Sequence, residues 1–206
     1  MRLGVDLDDV VAVCAVPYLR RFAEEYQVEL PDESELGWHI LDRYDDRVPP
    51  TERDRFRERI YAGTFFSELE PYENCSLALD RIVAAGHEVH FITARAERRR
   101  IVTETWLREK GLLHYAKTVR LKPRGDFRPD APRGRYAPLS SASYKVRVAR
   151  ELQLDVFCED DVTISLSLAD AGVRVLLFDH AWNQDVRHER ITRVSGWSEV
   201  GNLLGV

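Results

Sequence analysis

Short apolar runs alternate along this chain with segments in which apolar residues follow helical spacing. Five runs have the composition of buried parallel strands, at 3–5, 89–92, 118–121, 156–158 and 173–178. Helical periodicity covers most of the segments between them, at 76–85, 98–110, 144–152 and 163–171. This succession of strand, helix and strand predicts a doubly wound α/β fold with a mostly parallel, Rossmann-like sheet.

The first predicted strand is followed by an insertion. The next strand begins near residue 88, well beyond the length of an ordinary crossover connection. The insertion contains helical patterns at 18–26 and 52–61 and many aromatic residues. We therefore expect a small helical cap over residues 14–72 and a core formed by 1–13 and 73–206. A cap at this place would cover the carboxyl edge of the strands, where open α/β sheets bind ligands.

A second irregular stretch, at 122–141, is dense in proline, glycine and arginine. These residues interrupt both helical and strand patterns, so the stretch is predicted to be a long exposed loop.

Composition narrows the possible partners. The chain has 35 acidic and 30 basic residues and a formal charge of −5, so it lacks the overall positive field that holds a nucleic acid polymer or an anionic membrane. No apolar run approaches the ~20 residues that span a bilayer. The three cysteines form no CxxC pair, which fits a reducing, cytoplasmic location. We expect a small-molecule substrate and a monomer or homodimer.

The first chemical motif is a pair of carboxylates where the first strand ends. Asp6 closes the strand, and Asp8 can point to the same side because side chains alternate along a strand. Such a pair suits Mg²⁺ when a phosphate is also bound. One carboxylate can attack phosphorus while the other transfers protons. The alternative is an acidic turn that caps the following helix.

Three further motifs follow the ends of later elements. Thr93, with the backbone amide of Ala94, is predicted to begin a helix and to hold phosphate oxygens, although a plain helix cap is the alternative. Lys145 opens a later helix and would offset the charge of a phosphate, unless it is a solvated surface lysine. The acids at 159–161 follow an apolar strand, where they form either a cation site or an exposed acidic turn.

In this order the four motifs resemble those of the haloacid dehalogenase superfamily, and the likeness spans nearly the whole chain. The resemblance implies a fold of that superfamily's type. It implies that Asp6 is the nucleophile and that Asp8 is the general acid and base. Thr93, with Ala94, and Lys145 would bind the phosphoryl group.

The same resemblance implies a Mg²⁺ site. Its ligands would be Asp6, the backbone carbonyl of Asp8, and Asp160. Asp161 could share or replace the role of Asp160, because a run of adjacent acids leaves the register open. Dehalogenases of the superfamily lack the second aspartate, so Asp8 favours phosphate chemistry.

A closer likeness is carried by the run at 63–71 and by 176–179 with Trp182 and Asn183. These stretches are similar to the 5′(3′)-deoxyribonucleotidase family and its bacterial relatives. In that family aromatic residues under the cap stack on the nucleobase, a role that Phe66 and Trp38 could take here, although both could instead belong to the core of the cap. Arg95 is a further candidate for substrate binding.

The chain also departs from that family's pattern. Asp9 stands where a glycine is usual, and Val13 stands where an aspartate often follows. These departures weaken the expectation of the same nucleotide substrate.

The expected activity is therefore magnesium-dependent hydrolysis of phosphomonoesters through an aspartyl-phosphate, with (deoxy)nucleoside monophosphates as substrates. Two alternatives stay open. One is a phosphatase for another small phosphoester such as a sugar phosphate. The other is a non-catalytic protein that binds a phosphometabolite or a partner, against which the presence of both Asp6 and Asp8 argues.

Overall fold

The sheet has six parallel strands, in the order β3-β2-β1-β4-β5-β6. The computed structural model describes residues 1–124 and 138–206. The strands are β1 (Arg2–Val5), β2 (Glu88–Ala96), β3 (Ala116–Lys122), β4 (Val156–Glu159), β5 (Arg174–Phe178) and β6 (Ile191–Val194). The strand order reverses at β1, which lies between β2 and β4. This arrangement confirms the predicted doubly wound sheet, and such a reversal is where open α/β sheets form a ligand crevice.

Eight α-helices surround or extend from the sheet within the described residues. They are α1 (Ala15–Tyr26), α2 (Pro50–Ala62), α3 (Phe65–Glu68), α4 (Cys75–Ala84), α5 (Arg100–Glu109), α6 (Pro138–Leu152), α7 (Val162–Asp170) and α8 (Trp197–Leu204). Five short 3-10 helices occupy Glu33–Glu35, Trp38–Tyr44, Glu97–Arg99, Leu113–Tyr115 and Ala181–Asn183. None of these described helices is long and apolar enough to cross a membrane.

The insertion between β1 and β2 is helical and has an aromatic interior. Tyr18 of α1 packs on Trp38 at 5.0 Å, on Phe56 at 5.3 Å and on Phe65 at 6.0 Å between ring centroids. The apolar cluster that contains these rings continues into β1. The division into a cap at 14–72 and a core at 1–13 and 73–206 stays a proposal.

Two elements near the carboxyl end were not predicted. β6 is a short edge strand in which polar Thr192 and Arg193 interrupt the apolar pattern, so its sequence carries little strand signal. α8 follows it with only eight residues, from Trp197 to Leu204.

Two predicted boundaries were wrong. The loop expected at 122–141 ends earlier, because α6 begins at Pro138 and buries Ser140 and Ser141; residues 125–137 lie outside the described part of the chain. Thr93 does not begin a helix. It lies inside β2. This strand continues to Ala96, because Ala96, beyond Thr93, still pairs with Lys122 of β3.

Candidate active site

The register of the sheet brings the predicted motifs to one edge. Val5, the last residue of β1, pairs with Phe91 of β2. Asp6 follows Val5 directly, and Thr93 lies two residues beyond Phe91. On the other side of β1, Asp160 follows the last residue of β4. The carboxyl ends of three adjacent strands therefore place these side chains around one crevice.

Three buried carboxylates converge in that crevice. Asp6, Glu159 and Asp160 each offer an oxygen, and these oxygens lie within 4.8 Å of one another. Burial raises the pKa of all three, that of Glu159 to about 8. Buried carboxylates at this separation repel one another, so a divalent cation with oxygen ligands fits the donor set.

Lys145 supplies the positive side chain of this cluster. It is fully buried, and its Nζ lies 2.8 Å from Asp6 Oδ1 and 2.7 Å from Glu159 Oε2. Burial alone would lower the pKa of Lys145, but the two carboxylates outweigh burial and raise it above its ordinary range. Lys145 lies within α6 and not at its start, because that helix begins at Pro138. An ammonium group has three protons, and two carboxylates leave one for a phosphate oxygen.

The three acids at 159–161, at the end of β4, have different contacts. Glu159 and Asp160 belong to the carboxylate cluster, whereas the Asp161 carboxylate accepts a hydrogen bond of 2.8 Å from Ile164 N at the start of α7. Asp161 lies outside the cluster formed by the described residues. Sequence reasoning did not single out Glu159 as a site residue. Its signal was its place as the last residue of a fully buried strand.

Asp8 is held by an arginine from β2. Arg95 Nε lies 3.1 and 3.0 Å from the two Asp8 oxygens, and Arg95 Nη2 lies 2.5 Å from Asp8 Oδ1. The guanidinium is buried, with its carbon 4.0 Å from the ring centroid of Phe66. Arg95, which was predicted to bind substrate, thus forms an ion pair with the candidate acid and base.

The remaining candidate site residues lie next to Arg95 or in the insertion. Thr93 is buried, and its Oγ1 accepts a hydrogen bond of 3.1 Å from Arg95 N, while Ala94 is half-buried. Phe66 is buried beneath Arg95, and partly buried Trp38 packs on Tyr18 of the insertion. The predicted roles of these residues toward phosphate and substrate stay predictions.

Asp9 has a structural role in the turn between β1 and α1. Its φ is 58°, in the left-handed region where glycine is favoured. The carboxylate accepts hydrogen bonds from Cys14 N at 3.0 Å and Ala15 N at 2.9 Å, at the start of α1. Burial raises the pKa of Asp9 to about 7 against these donors. Among the three acids after β1 it is therefore Asp9 that binds the backbone at the start of α1, which leaves Asp6 and Asp8 for the crevice.

The known proteins that are similar in sequence to this chain are described as nucleotidases. The family model described as "5′ nucleotidase, deoxy (Pyrimidine), cytosolic type C protein" matches residues 1–131. A nucleotidase from Clostridium acetobutylicum is 26% identical over 157 residues, which cover 76% of this chain and 70% of the relative. YqfW of Bacillus subtilis, provisionally named a nucleotidase, is 23% identical over 97% of this chain and 91% of its own.

Solved hydrolase structures share this fold. A haloacid dehalogenase-like hydrolase from Streptococcus pneumoniae aligns with a TM-score of 0.67 and 12% identity, covering 98% of this chain and 97% of that one. A hydrolase of the same superfamily from Deinococcus radiodurans, with bound phosphate and sodium, aligns with a TM-score of 0.61 and 18% identity, covering 99% and 94%. The predicted fold and the predicted resemblance are confirmed.

Proposed function

Because the chain belongs to the cytosolic type C 5′-nucleotidase family within the haloacid dehalogenase superfamily, it is a phosphoric monoester hydrolase, and we propose that it hydrolyses nucleoside monophosphates through a phosphorylated Asp6. The observation that carries this proposal is the cluster of buried Asp6, Glu159 and Asp160 at the carboxyl edge of the sheet, in which buried Lys145 contacts Asp6 and Glu159.

In the proposed first step, an oxygen of the Asp6 carboxylate attacks phosphorus. The bond between phosphorus and the leaving oxygen breaks, and Asp8 donates a proton to that oxygen. Lys145 and Thr93 would bind the phosphoryl oxygens and stabilise the negative charge on them during the reaction. The product of this step is an aspartyl-phosphate and a free alcohol.

In the second step, Asp8 accepts a proton from a water molecule, and the water oxygen attacks phosphorus. The bond to Asp6 then breaks, which releases inorganic phosphate and restores the carboxylate. The Mg²⁺ ligands that the family resemblance implies are Asp6, Asp160 and the Asp8 carbonyl, and both of these acids belong to the carboxylate cluster. A bound Mg²⁺ would offset the negative charge that these carboxylates and the phosphoryl group bring together.

A second substrate class is supported by the insertion. Phe66 is only 1% exposed and has Arg95 over its ring, so its face is not open to a nucleobase in this arrangement. A smaller phosphoester such as a sugar phosphate needs no aromatic platform. It therefore stays the alternative substrate.

Phosphate release measured across nucleoside monophosphates and sugar phosphates, with and without Mg²⁺, tests the proposal. We expect turnover that requires Mg²⁺ and a preference for nucleotides over 4-nitrophenyl phosphate. Faster hydrolysis of sugar phosphates would select the alternative. No release from any substrate by the folded, Mg²⁺-loaded protein would contradict hydrolysis altogether.

Replacing Arg95 by Met should weaken proton transfer to the leaving group, because Arg95 orients both oxygens of Asp8. General acid catalysis contributes about 10²–10⁴-fold, so we expect kcat/KM for an alkyl phosphate ester to fall by roughly 10²-fold. The loss for 4-nitrophenyl phosphate should be much smaller, since its leaving oxygen needs no proton.

The matched control for that substitution is Arg98→Met. Arg98 also pairs with a carboxylate, Glu58, but its side chain is 61% exposed. Exposed ion pairs contribute little, so this variant should retain activity on both substrates. Equal losses of the Arg95 variant on both substrates would show that Arg95 does not act through Asp8.

A further inference from the structure

The turn after β5 makes contacts that the proposed mechanism does not use. Three of its side chains, which we call the β5 clamp, reach the loops after β1 and β4: His180, Trp182 and Asn183. We propose that the β5 clamp positions Asp160 for a divalent cation. This inference rests on the cation site of the proposed function, although its test does not depend on hydrolysis.

Trp182 acts on the carboxylate itself. Its Nε1 donates a hydrogen bond of 3.2 Å to Asp160 Oδ2. An indole N–H is a donor only, so this bond keeps one carboxylate oxygen turned toward the clamp. The same carboxylate offers an oxygen to the cluster with Asp6 and Glu159. Trp182 therefore restricts the rotation of the group that a cation would meet.

Asn183 acts on the backbone of the same residue. Its buried Nδ2 donates to Asp160 O at 2.9 Å and to Phe178 O at 2.7 Å, which links the ends of β4 and β5. Arg193 of β6 holds Asn183 in turn, with Nη1 2.7 Å from Asn183 Oδ1 and Nη2 2.8 Å from Asn183 O. Asp160 is thus fixed at both its backbone and its side chain.

His180 connects the clamp to the loop after β1. Its ring stacks on Trp182 with centroids 4.3 Å apart and an interplanar angle of 4°. Its Nε2 lies 2.8 Å from Asp9 O, a pure acceptor, so that nitrogen carries the proton. The β5 clamp therefore joins the loop that follows Asp8 to the loop that contains Asp160.

Residues that hydrogen-bond to metal ligands orient those ligands. Loss of such a residue typically lowers metal affinity 10–100-fold. Trp182→Phe keeps an aromatic ring to stack on His180, makes it smaller, and removes the N–H that holds Asp160. We expect the dissociation constant for Mn²⁺ to rise by roughly 10-fold or more in this variant. His180→Phe keeps the stacking and loses the bond to Asp9, so it should raise the constant as well.

Free Mn²⁺ measured by electron paramagnetic resonance in titrations of the full chain reads out this affinity without catalysis. Trp106→Phe is the matched control, because Trp106 Nε1 also donates a buried hydrogen bond, of 2.8 Å, but to Leu69 O and not to a carboxylate. Asp160→Asn gives the effect of losing the ligand. Thermal unfolding of each variant confirms that the titrated protein is folded.

Three results would separate the inference from the proposed function. A Trp182→Phe constant within twofold of wild type, or no larger a change than in Trp106→Phe, overturns the clamp. Failure of the wild-type chain to bind Mn²⁺ overturns both proposals. Mn²⁺ binding that weakens in Trp182→Phe supports the clamp even where the wild-type chain releases no phosphate, a result that would overturn the proposed hydrolysis alone.

Discussion

Asp6→Asn is expected to lower phosphomonoester hydrolysis by about 10³-fold or more, because an amide cannot replace the carboxylate as nucleophile. Asn has nearly the same shape, so the backbone of β1 and its pairing with β2 and β4 should be unchanged. Lys145 loses one carboxylate partner at 2.8 Å but keeps Glu159 at 2.7 Å. The measurement is phosphate release under saturating Mg²⁺, with circular dichroism to check the fold.

Asp8→Asn is the control that separates the two carboxylates. It retains the nucleophile and loses the group that activates water, so a phosphate ester with a good leaving group should phosphorylate the protein and then stall. Intact mass measurements should detect phosphorylated protein in Asp8→Asn and none in Asp6→Asn. Phosphorylation of the Asp6→Asn chain, or turnover equal to wild type, would reject Asp6 as the nucleophile.

The sequence was sufficient to predict where the site would form. Parallel strands joined by helices end at one edge of a sheet, so residues after Val5 and Glu159 must meet wherever β1 and β4 are neighbours. That rule needs only the strand pattern and the identity of the residues that follow each strand. It accounts for the convergence of Asp6 and Asp160 without any knowledge of side-chain contacts.

The partners inside the site could not be predicted in this way. The ion pair between Arg95 and Asp8 depends on β2 continuing beyond Thr93, which moves Arg95 from the expected helix start into the strand. The pattern at 92–95 alone does not show that continuation, because β3 stabilises it by pairing. The separation of Glu159 and Asp160 from Asp161 likewise depends on where α7 begins.

Asp9 shows why a departure from a family pattern is hard to interpret from sequence. It occupies a left-handed backbone position with φ 58°, where an aspartate is strained unless its side chain is satisfied locally. The backbone N–H groups of Cys14 and Ala15, at the start of α1, donate to one of its carboxylate oxygens. The departure is therefore compatible with the chemistry of Asp6 and Asp8, because local hydrogen bonds to the aspartate support a backbone conformation that otherwise favours glycine.

Lys145→Met is expected to lower the free energy of unfolding by about 3–5 kcal/mol, because removing one partner of a buried ion pair leaves the other charges uncompensated. Lys145 is fully buried and is the cation that contacts both Asp6 and Glu159. Without it, three buried carboxylates would face one another. Such a loss is a large fraction of the roughly 5–15 kcal/mol that stabilises a typical domain.

Denaturant unfolding in a chelator at neutral pH measures this loss, and a double variant tests its cause. Glu159→Gln removes one of the two carboxyl groups that Lys145 contacts, so Lys145→Met should cost less in that background than in wild type. Burial raises the pKa of Glu159 to about 8, so the native state binds a proton that the unfolded chain releases between about pH 4.5 and 8. Lys145→Met removes the cation that opposes this rise, so Glu159 of the variant should keep its proton in the native state and the stability of the variant should fall as pH rises above about 4.5. A loss below about 1 kcal/mol, or equal losses in both backgrounds, would show that the lysine does not hold these acids together.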